Sequence, residues 1–258
     1  MVKHWTIKTI LSKIQFHFFF YIVALVCVLA GYFYEFALFT YLILIHECGH
    51  ISAGMYFKWN IKKIIILPFG GITLFEDVLN KPIKEEWIIT VMGPIFQIFG
   101  YYLLQCKVDE VLTYYHFIIL AFNLLPIIPL DGSKLLHLTL QKLFPFYKSY
   151  QILTFFSCIF AIFLLLLNSL IFHNGFLLIT LLLLHKHIYK VYKEYPFYFR
   201  KFLLERYLYT FSFKKRMIIN EASLKRMKRD YKHLFYINNR YITEREMLKK
   251  TFDKETLL

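Results

Sequence analysis

The stretch His46-Glu47-Cys48-Gly49-His50 places two imidazoles and a carboxylate inside an apolar segment that runs from residue 36 to residue 57. A segment of that length can cross a bilayer as a helix, and ionisable side chains at such depth are costly unless they serve a site. On a helix, His46 and His50 lie one turn apart on the same face, where both rings can bind one metal ion. The stretch therefore predicts a metal site within a membrane-spanning helix.

Glu47 adds a base beside this pair. It stands next to the first imidazole, in the H-E-x-x-H arrangement of zinc peptidases, where it can take a proton from the attacking water. The same five letters also occur by chance on solvated helices, but burial in a membrane disfavours that alternative. Cys48 points to another face of the helix, and we interpret it as a packing residue.

The composition indicates a polytopic membrane protein. Of 258 residues, 58% are hydrophobic and 20% aromatic, which exceeds the content of ordinary globular domains. Runs of spanning or near-spanning length occur at 14–31, 36–57, 87–106, 112–130, 152–172 and 176–189. Lys and Arg alternate between rich and poor connections, so the positive-inside rule places both termini in the cytoplasm. The sequence thus predicts an all-α bundle of six transmembrane helices, with the histidines on its cytoplasmic side.

Asp131 is the candidate third ligand. It follows Pro126 and Pro129, which should open the end of the fourth run and let the carboxylate turn inward. Two histidines and a carboxylate leave a fourth position for water, as a catalytic zinc requires. An ordinary turn at the membrane surface is the alternative. Asn123, about two helical turns earlier, could bond a substrate or the reacting oxygen, or could serve helix packing.

Two segments should form β-structure. Residues 63–75 are β-rich and broken by Pro-Phe-Gly-Gly, which predicts a short hairpin at the membrane that could hold an extended substrate by strand addition. Residues 214–252 read as strand, helix, strand, a turn at Asn238-Asn239, strand and helix. The predicted domains are a transmembrane part at 1–192, an interfacial amphipathic linker at 193–212 and a cytoplasmic module at 213–258.

The net charge of +14 is concentrated in the tail. Residues 186–258 contain 19 Lys and Arg against 8 Asp and Glu. Such a tail at a bilayer predicts contact with anionic lipid or an acidic partner. Direct nucleic acid binding is not expected, because no motif for reading bases is present.

H-E-x-x-H in one span and a P-x-D-G aspartate in a later one resemble the site-2 protease family of intramembrane metalloproteases, peptidase family M50. His46, Glu47, His50 and Asp131 match the family's motif positions one by one. The similarity to the sporulation branch of this family extends to five further groups of residues. These are Leu67-Pro68-Phe69-Gly70-Gly71, Lys81-Pro82-Ile83-Lys84-Glu85-Glu86, Gly93-Pro94, the segment from Asn123 to Gly132, and Phe202-Leu203-Leu204-Glu205-Arg206-Tyr207.

The resemblance implies one Zn²⁺ per chain, with Glu47 as the catalytic residue. It also implies a membrane-associated substrate of the pro-sigma-K kind, inhibitory membrane protein partners and residence in the mother-cell membrane around the forespore. The C-terminal module resembles a single CBS domain, in which Thr243 stands at a ribose-binding position. Glu246 replaces the Asp that is usual three residues after this Thr. Two interpretations therefore remain: the module binds ATP, or it is a CBS domain kept only for its structure.

Two other functions fit part of the pattern. A divalent-metal transporter also needs histidines and carboxylates inside its spans, but it requires ionisable residues along a path to both membrane faces, and the outer halves of these runs are nearly bare. A catalytically inactive scaffold would keep the fold, yet nothing would oblige it to keep Glu47.

Overall fold

A computed structural model describes residues 12–67, 70–76, 79–104 and 110–255. The chain divides into two units. The first contains residues up to 77 together with 87–125, and the second contains 78–86 and 126–258.

The first unit combines helices with one small sheet. Its elements are β1 (Ile14–Phe16), α1 (Phe18–Leu29), α2 (Phe33–Tyr56), β2 (Ile61–Leu67), β3 (Gly70–Phe75), α3 (Ile83–Leu104, which begins in the second unit) and α4 (Glu110–Asn123). β1 pairs parallel with β2, and β2 pairs antiparallel with β3. The predicted hairpin is therefore present, and its partner β1 was not foreseen.

The second unit is formed by three long or medium helices and a terminal α+β module. Its elements are α5 (Asp131–Leu143), α6 (Phe146–Leu167) with a π-helical end (Asn168–Phe172), α7 (Gly175–Leu208), β4 (Lys215–Ile219), a 3₁₀ turn (Leu224–Arg226), β5 (Tyr231–Ile237), β6 (Arg240–Thr243) and α8 (Glu244–Glu255). β4 pairs parallel with β5, which pairs antiparallel with β6.

Three of the described helices are long and apolar enough to cross a membrane, namely α2, α3 and α6 with its π-helical end. The expected first span, 14–31, is not one continuous helix, because residues 14–16 pair with β2 and the helix that follows has 12 residues. In the expected fourth span the helix ends at Asn123, since Pro126 and Pro129 cannot continue it. The number of six spans stays a prediction.

The core of the first unit lies where α2 meets the sheet. Leu42 and Ile43 of α2 are almost fully buried, as are Ile61, Ile64 and Ile66 of β2. One face of β2 therefore packs against the helix that carries the histidines. This packing fixes α2 relative to the hairpin.

A second core joins α6 and α7 to the terminal module. Phe146 and Phe202 stack with their ring centroids 4.2 Å apart, and Phe235 and Leu248 of the module pack in the same cluster. α7 continues without a break through Pro196, so the expected linker at 193–212 is helical as far as Leu208. In the module the predicted order of elements is present, except that a 3₁₀ turn replaces the first helix.

Candidate metal centre

α2 places His46, Glu47 and His50 together in its buried half. Their exposed fractions are 3%, 3% and 5%. The two Nε2 atoms lie 3.1 Å apart, so the rings converge on one point as the helical spacing predicts. The structure thus brings the two rings together, and their joint action on one ligand stays a prediction.

Hydrogen bonds on the far side of each ring fix the tautomers. His50 Nδ1 lies 2.8 Å from the carbonyl oxygen of Ile89, which can only accept, so Nδ1 carries the proton. His46 Nδ1 lies 3.0 Å from Gln97 Oε1, while Gln97 Nε2 donates to the carbonyl of His116 at 3.1 Å. The Nδ1 atoms of both rings thus bond away from the centre, and the two Nε2 atoms face each other at 3.1 Å. Outer hydrogen bonds of this kind orient histidine rings that bind a metal, so the arrangement fits a metal site.

Gly93 of α3 provides the space beside these rings. A Cβ atom at this position would overlap the ring of His50 and would also press on Nε2 of His46. Only glycine therefore allows α3 to pack so closely against the histidine face of α2. No sequence pattern indicates that this glycine faces the two histidines.

Glu47 is held by the hairpin. Thr73 of β3 donates a hydrogen bond from Oγ1 to Glu47 Oε2 at 2.6 Å, and both side chains are buried. Gly71 in the same strand lies so close to the Glu47 side chain that a Cβ atom would overlap it. The hairpin thus orients the predicted base, a contact that sequence reasoning missed. Gln97 was missed as well, although a lone amide inside an apolar run was a usable signal.

Asp131 lies in the second unit as the first residue of α5. It is 5% exposed, and Lys134 donates to its Oδ1 at 3.0 Å. The turn before it, residues 124–130, is fixed by Ser157 of α6. The Ser157 hydroxyl donates to the Pro126 carbonyl at 3.1 Å and accepts from the Ile128 amide at 3.3 Å. Asp131 therefore begins a helix, whereas the sequence placed it at the end of one.

Asn123 is the last residue of α4, and its side chain is partly buried. Its suggested contact with a substrate stays a prediction, as does the joint ligand set of His46, His50 and Asp131.

The Thr243 pattern in the C-terminal module forms a helix cap. Thr243 Oγ1 accepts from the Glu246 amide at 3.3 Å, and Glu246 Oε2 accepts from the Thr243 amide at 3.2 Å. This reciprocal capping box satisfies two amides at the start of α8. It gives both residues a structural role, and it lends no support to ATP binding.

A buried polar cluster ties the module to α7. His233 Nδ1 lies 3.0 Å from Glu244 Oε2, and Arg206 donates to Glu244 Oε1 at 3.0 Å. The Lys228 amide donates to His233 Nε2, so the neutral ring carries its proton on Nδ1. Burial lowers the pKa of His233 despite its bond to Glu244. Burial raises the pKa of Glu244, but the His233 bond and the Arg206 charge outweigh burial and hold that pKa below its usual value.

Comparison with known proteins supports a metallopeptidase relationship. Residues 34–108 match the model of peptidase family M50. The chain is 37% identical over 152 residues to stage IV sporulation protein FB of Bacillus subtilis, an alignment that covers 55% of this chain and 53% of that protein. It is 28% identical over 127 residues to the zinc metalloprotease MJ0392 of Methanocaldococcus jannaschii, covering 43% of this chain and 35% of that protein.

The fold is similar to a solved structure. The site-2 protease from Methanocaldococcus jannaschii matches with a TM-score of 0.55 and 23% identity, over 69% of this chain and 89% of that one. The chain thus spans about half or less of the two curated relatives, but most of the solved structure. It therefore contains a region similar to peptidase family M50 and resembles the solved site-2 protease in fold and stage IV sporulation protein FB in sequence.

Proposed function

We propose that this chain is an intramembrane zinc endopeptidase that cuts a membrane-associated precursor near the cytoplasmic face. The observation that carries the proposal is the buried His46–His50 pair, whose Nε2 atoms lie 3.1 Å apart in the same buried part of α2 as Glu47. This arrangement lies in a helix long enough to cross a bilayer. Ionisable groups at that depth require a function that compensates for their burial.

His46, His50 and Asp131 would hold the zinc ion. Two imidazoles and one carboxylate are a ligand set of catalytic zinc, which keeps one coordination position open. The clearance at Gly93 leaves space beside the rings. Zinc bound there would supply the Lewis acid that polarises the scissile carbonyl.

Glu47 would act first as general base and then as general acid. Its Oε2 accepts the Thr73 hydroxyl, so proton transfer falls to Oε1. Glu47 would take a proton from the attacking water and deliver it to the leaving amine. Because Thr73 belongs to β3, the position of the base depends on the hairpin.

The hairpin would also receive the substrate. In the described sheet the strand order is β1-β2-β3, so β3 is an edge strand. A substrate helix must be extended before it can be cut, and an extended segment can add to this edge by backbone hydrogen bonds. Such pairing would bring the scissile bond near Glu47, which contacts β3 at Gly71 and Thr73. Asn123 is a second proposed contact to the substrate or the reacting oxygen.

The substrate class is proposed from the relative. Identity of 37% to stage IV sporulation protein FB supports a role in sporulation, and by extension a precursor of the pro-sigma-K type. The proposal includes six spans, both termini in the cytoplasm, the mother-cell membrane around the forespore and restraint by inhibitory membrane proteins. The domain division at 192 and 212 and the CBS-like nature of the module are part of the same proposal.

The test is co-expression with a membrane-tethered sigma precursor, comparing the wild-type chain with Glu47→Gln. The amide keeps the shape of the side chain but cannot act as a base, so cleavage should vanish while about one zinc per chain remains. Cleavage by both chains would assign the activity to another protein. If neither chain cleaves any tethered precursor while zinc is bound, the inactive scaffold becomes the better description.

A further inference from the structure

A groove of about 710 Å³ lies between α6 and α7, within the second unit. Residues one helical turn apart line both sides of it. They include Tyr147, Gln151 and Cys158 from α6, and His185, Tyr192 and Lys193 from α7. The lining extends over 12 residues of each helix, from 147 to 158 and from 185 to 196, and the 11 steps between the first and last residue correspond to about 16 Å.

One end of the groove is aromatic and basic. Lys193 Nζ lies 4.8 Å from the ring centroid of Tyr189, and Lys225 Nζ lies 4.8 Å from that of Tyr147. The Tyr147 ring also contacts Tyr195, with centroids 4.8 Å apart. Tyrosines and lysines gathered in this way are typical of the level of lipid headgroups. The nearest acid on this part of α7, Glu194, is exposed and lies 3.8 Å from Lys190.

The other end of the groove is apolar, apart from one buried nitrogen. Phe155 is 64% exposed beside Cys158, so the α6 side offers a hydrocarbon surface. His185 Nδ1 is buried and has no hydrogen-bond partner among the described residues. A buried polar atom of this kind is usually satisfied by a ligand or a water molecule.

We propose that this groove binds one phospholipid with an anionic headgroup. The headgroup would lie between Lys193 and Lys225, and one acyl chain would follow the groove past Phe155. The length of about 16 Å matches half of a hydrocarbon core of about 30 Å. The groove begins at residue 147, near the first residue of the candidate span 146–172, so its basic end lies at a membrane boundary. Two amines at that end favour an anionic headgroup over a zwitterionic one.

The two amines belong to different parts of the chain. Lys193 is on α7, whereas Lys225 is in the 3₁₀ turn of the C-terminal module. A lipid held by both would connect the module directly to the membrane surface. The proposal rests on the membrane insertion proposed above, but not on peptidase activity.

The first test measures which lipids stay bound. The full chain is reconstituted in phosphatidylcholine vesicles that contain phosphatidylglycerol, extracted in mild detergent and analysed by native mass spectrometry. Wild type should retain phosphatidylglycerol preferentially. The double variant Lys193→Gln/Lys225→Gln should lose this preference by at least about fivefold per lysine, the factor for one cation at an anionic surface.

The matched control is Lys186→Gln/Lys249→Gln. It removes the same charge from exposed lysines of α7 and the C-terminal module that do not line the groove. Lys225 does not line the groove either, but its amine lies over the ring of the lining residue Tyr147. It should behave like wild type. Equal retention of the two lipids by wild type, or equal losses in the two double variants, would overturn the proposal.

The second test identifies the occupant directly. A photo-crosslinking amino acid at position 155 should capture phospholipid, whereas the same group at Phe163, exposed on the same helix outside the groove, should show no preference for phosphatidylglycerol. Capture of a peptide or of a second copy of the chain at position 155 would contradict the proposal. Neither test measures cleavage, so failure here is distinct from failure of the Glu47→Gln test.

Discussion

At the scale of single residues, the site depends on groups that do not belong to the H-E-x-x-H motif. Gln97 fixes the ring of His46, and the Ile89 carbonyl fixes that of His50. Gly93 leaves space for both rings, and Thr73 holds Glu47. These contacts come from α3 and β3, so the motif is oriented by two neighbouring elements.

Gln97→Leu should weaken zinc binding. The substitution removes the acceptor for His46 Nδ1, which frees the ring to rotate and to change tautomer. Loss of such an outer partner typically lowers metal affinity by about 10- to 100-fold. Competition with a zinc chelator measures the change. Gln97→Glu keeps an acceptor and should retain most of the affinity, while wild-type affinity in Gln97→Leu would show that the contact does not orient the ring.

Gly93→Ala should lower the zinc affinity strongly, although the substitution adds only one methyl group. The added methyl group would overlap the His50 ring, and α3 would have to move away from α2. We expect a loss of at least about tenfold in zinc affinity, of the order seen when the partners of metal ligands are disturbed. Gly175→Ala is the matched control, since a methyl group there meets no atom within 4 Å. Equal zinc binding by both variants would mean that the helices adjust at no cost.

At the scale of secondary-structure elements, most helices and strands near the site and in the C-terminal module were predictable from the sequence, whereas β1 was not. The helix around His46, the hairpin, and the strands and final helix of the C-terminal module follow from local patterns of apolar and turn residues. Asn238 and Asn239 both adopt left-handed φ angles, as the tight turn between β5 and β6 requires. β1 could not be foreseen, because an apolar run is equally compatible with a helix, and only pairing with β2 decides its first residues.

The attachment of the C-terminal module was also hidden from the sequence. Asp230 accepts the Ile83 amide at the start of α3 at 3.2 Å, and Glu205 accepts the amides of Leu79 and Asn80 at 3.1 and 3.2 Å. These contacts join residues more than 100 positions apart, which no local pattern can reveal. They bind the segment before α3 to α7 and to the module within the second unit.

The module should lose stability as the pH falls below about 6.5. Burial lowers the pKa of His233, so the unfolded chain binds protons that the folded chain does not, and acid favours unfolding. Burial also lowers the pKa of His137 in α5 to about 4, which adds to the same trend in the second unit. Glu244 acts in a different pH range. Because its pKa is lowered in the folded chain, its ionised carboxylate stabilises the fold fully above about pH 4.5, and this stabilisation is lost only below that pH.

Hydrogen exchange of the β5 amides, corrected for the intrinsic rate, measures this effect between pH 7.5 and 5.5. Protection should fall toward pH 5.5 in the wild type. His233→Gln should show a smaller change, with the remainder due to His137, whereas the exposed His173→Gln should leave the change intact. An unchanged pH dependence in His233→Gln would contradict the assignment.

At the scale of the whole molecule, composition and charge predicted a membrane protein with a basic tail. Three helices meet the length and hydropathy of a span. Of the other three apolar runs, the first begins in a strand, the fourth ends as a helix before its prolines, and the last continues into a basic helix. The motif suggested which residues act together, and the structure places His46, Glu47 and His50 in one buried part of α2, while their joint action stays a prediction. The prolines indicated correctly that the helix before Asp131 stops early, but they could not indicate that the next helix begins at Asp131 itself.

The central claim is that this single chain hydrolyses a peptide bond with zinc as its metal. The most direct measurement is a zinc titration of the purified, metal-stripped chain in lipid nanodiscs, with cleavage of a tethered precursor followed at each step. We expect cleavage to be absent without zinc and to rise in proportion to bound metal, reaching its maximum at about one equivalent per chain. Cleavage that persists in the metal-free chain, or full zinc binding without cleavage of any tethered precursor, would contradict it.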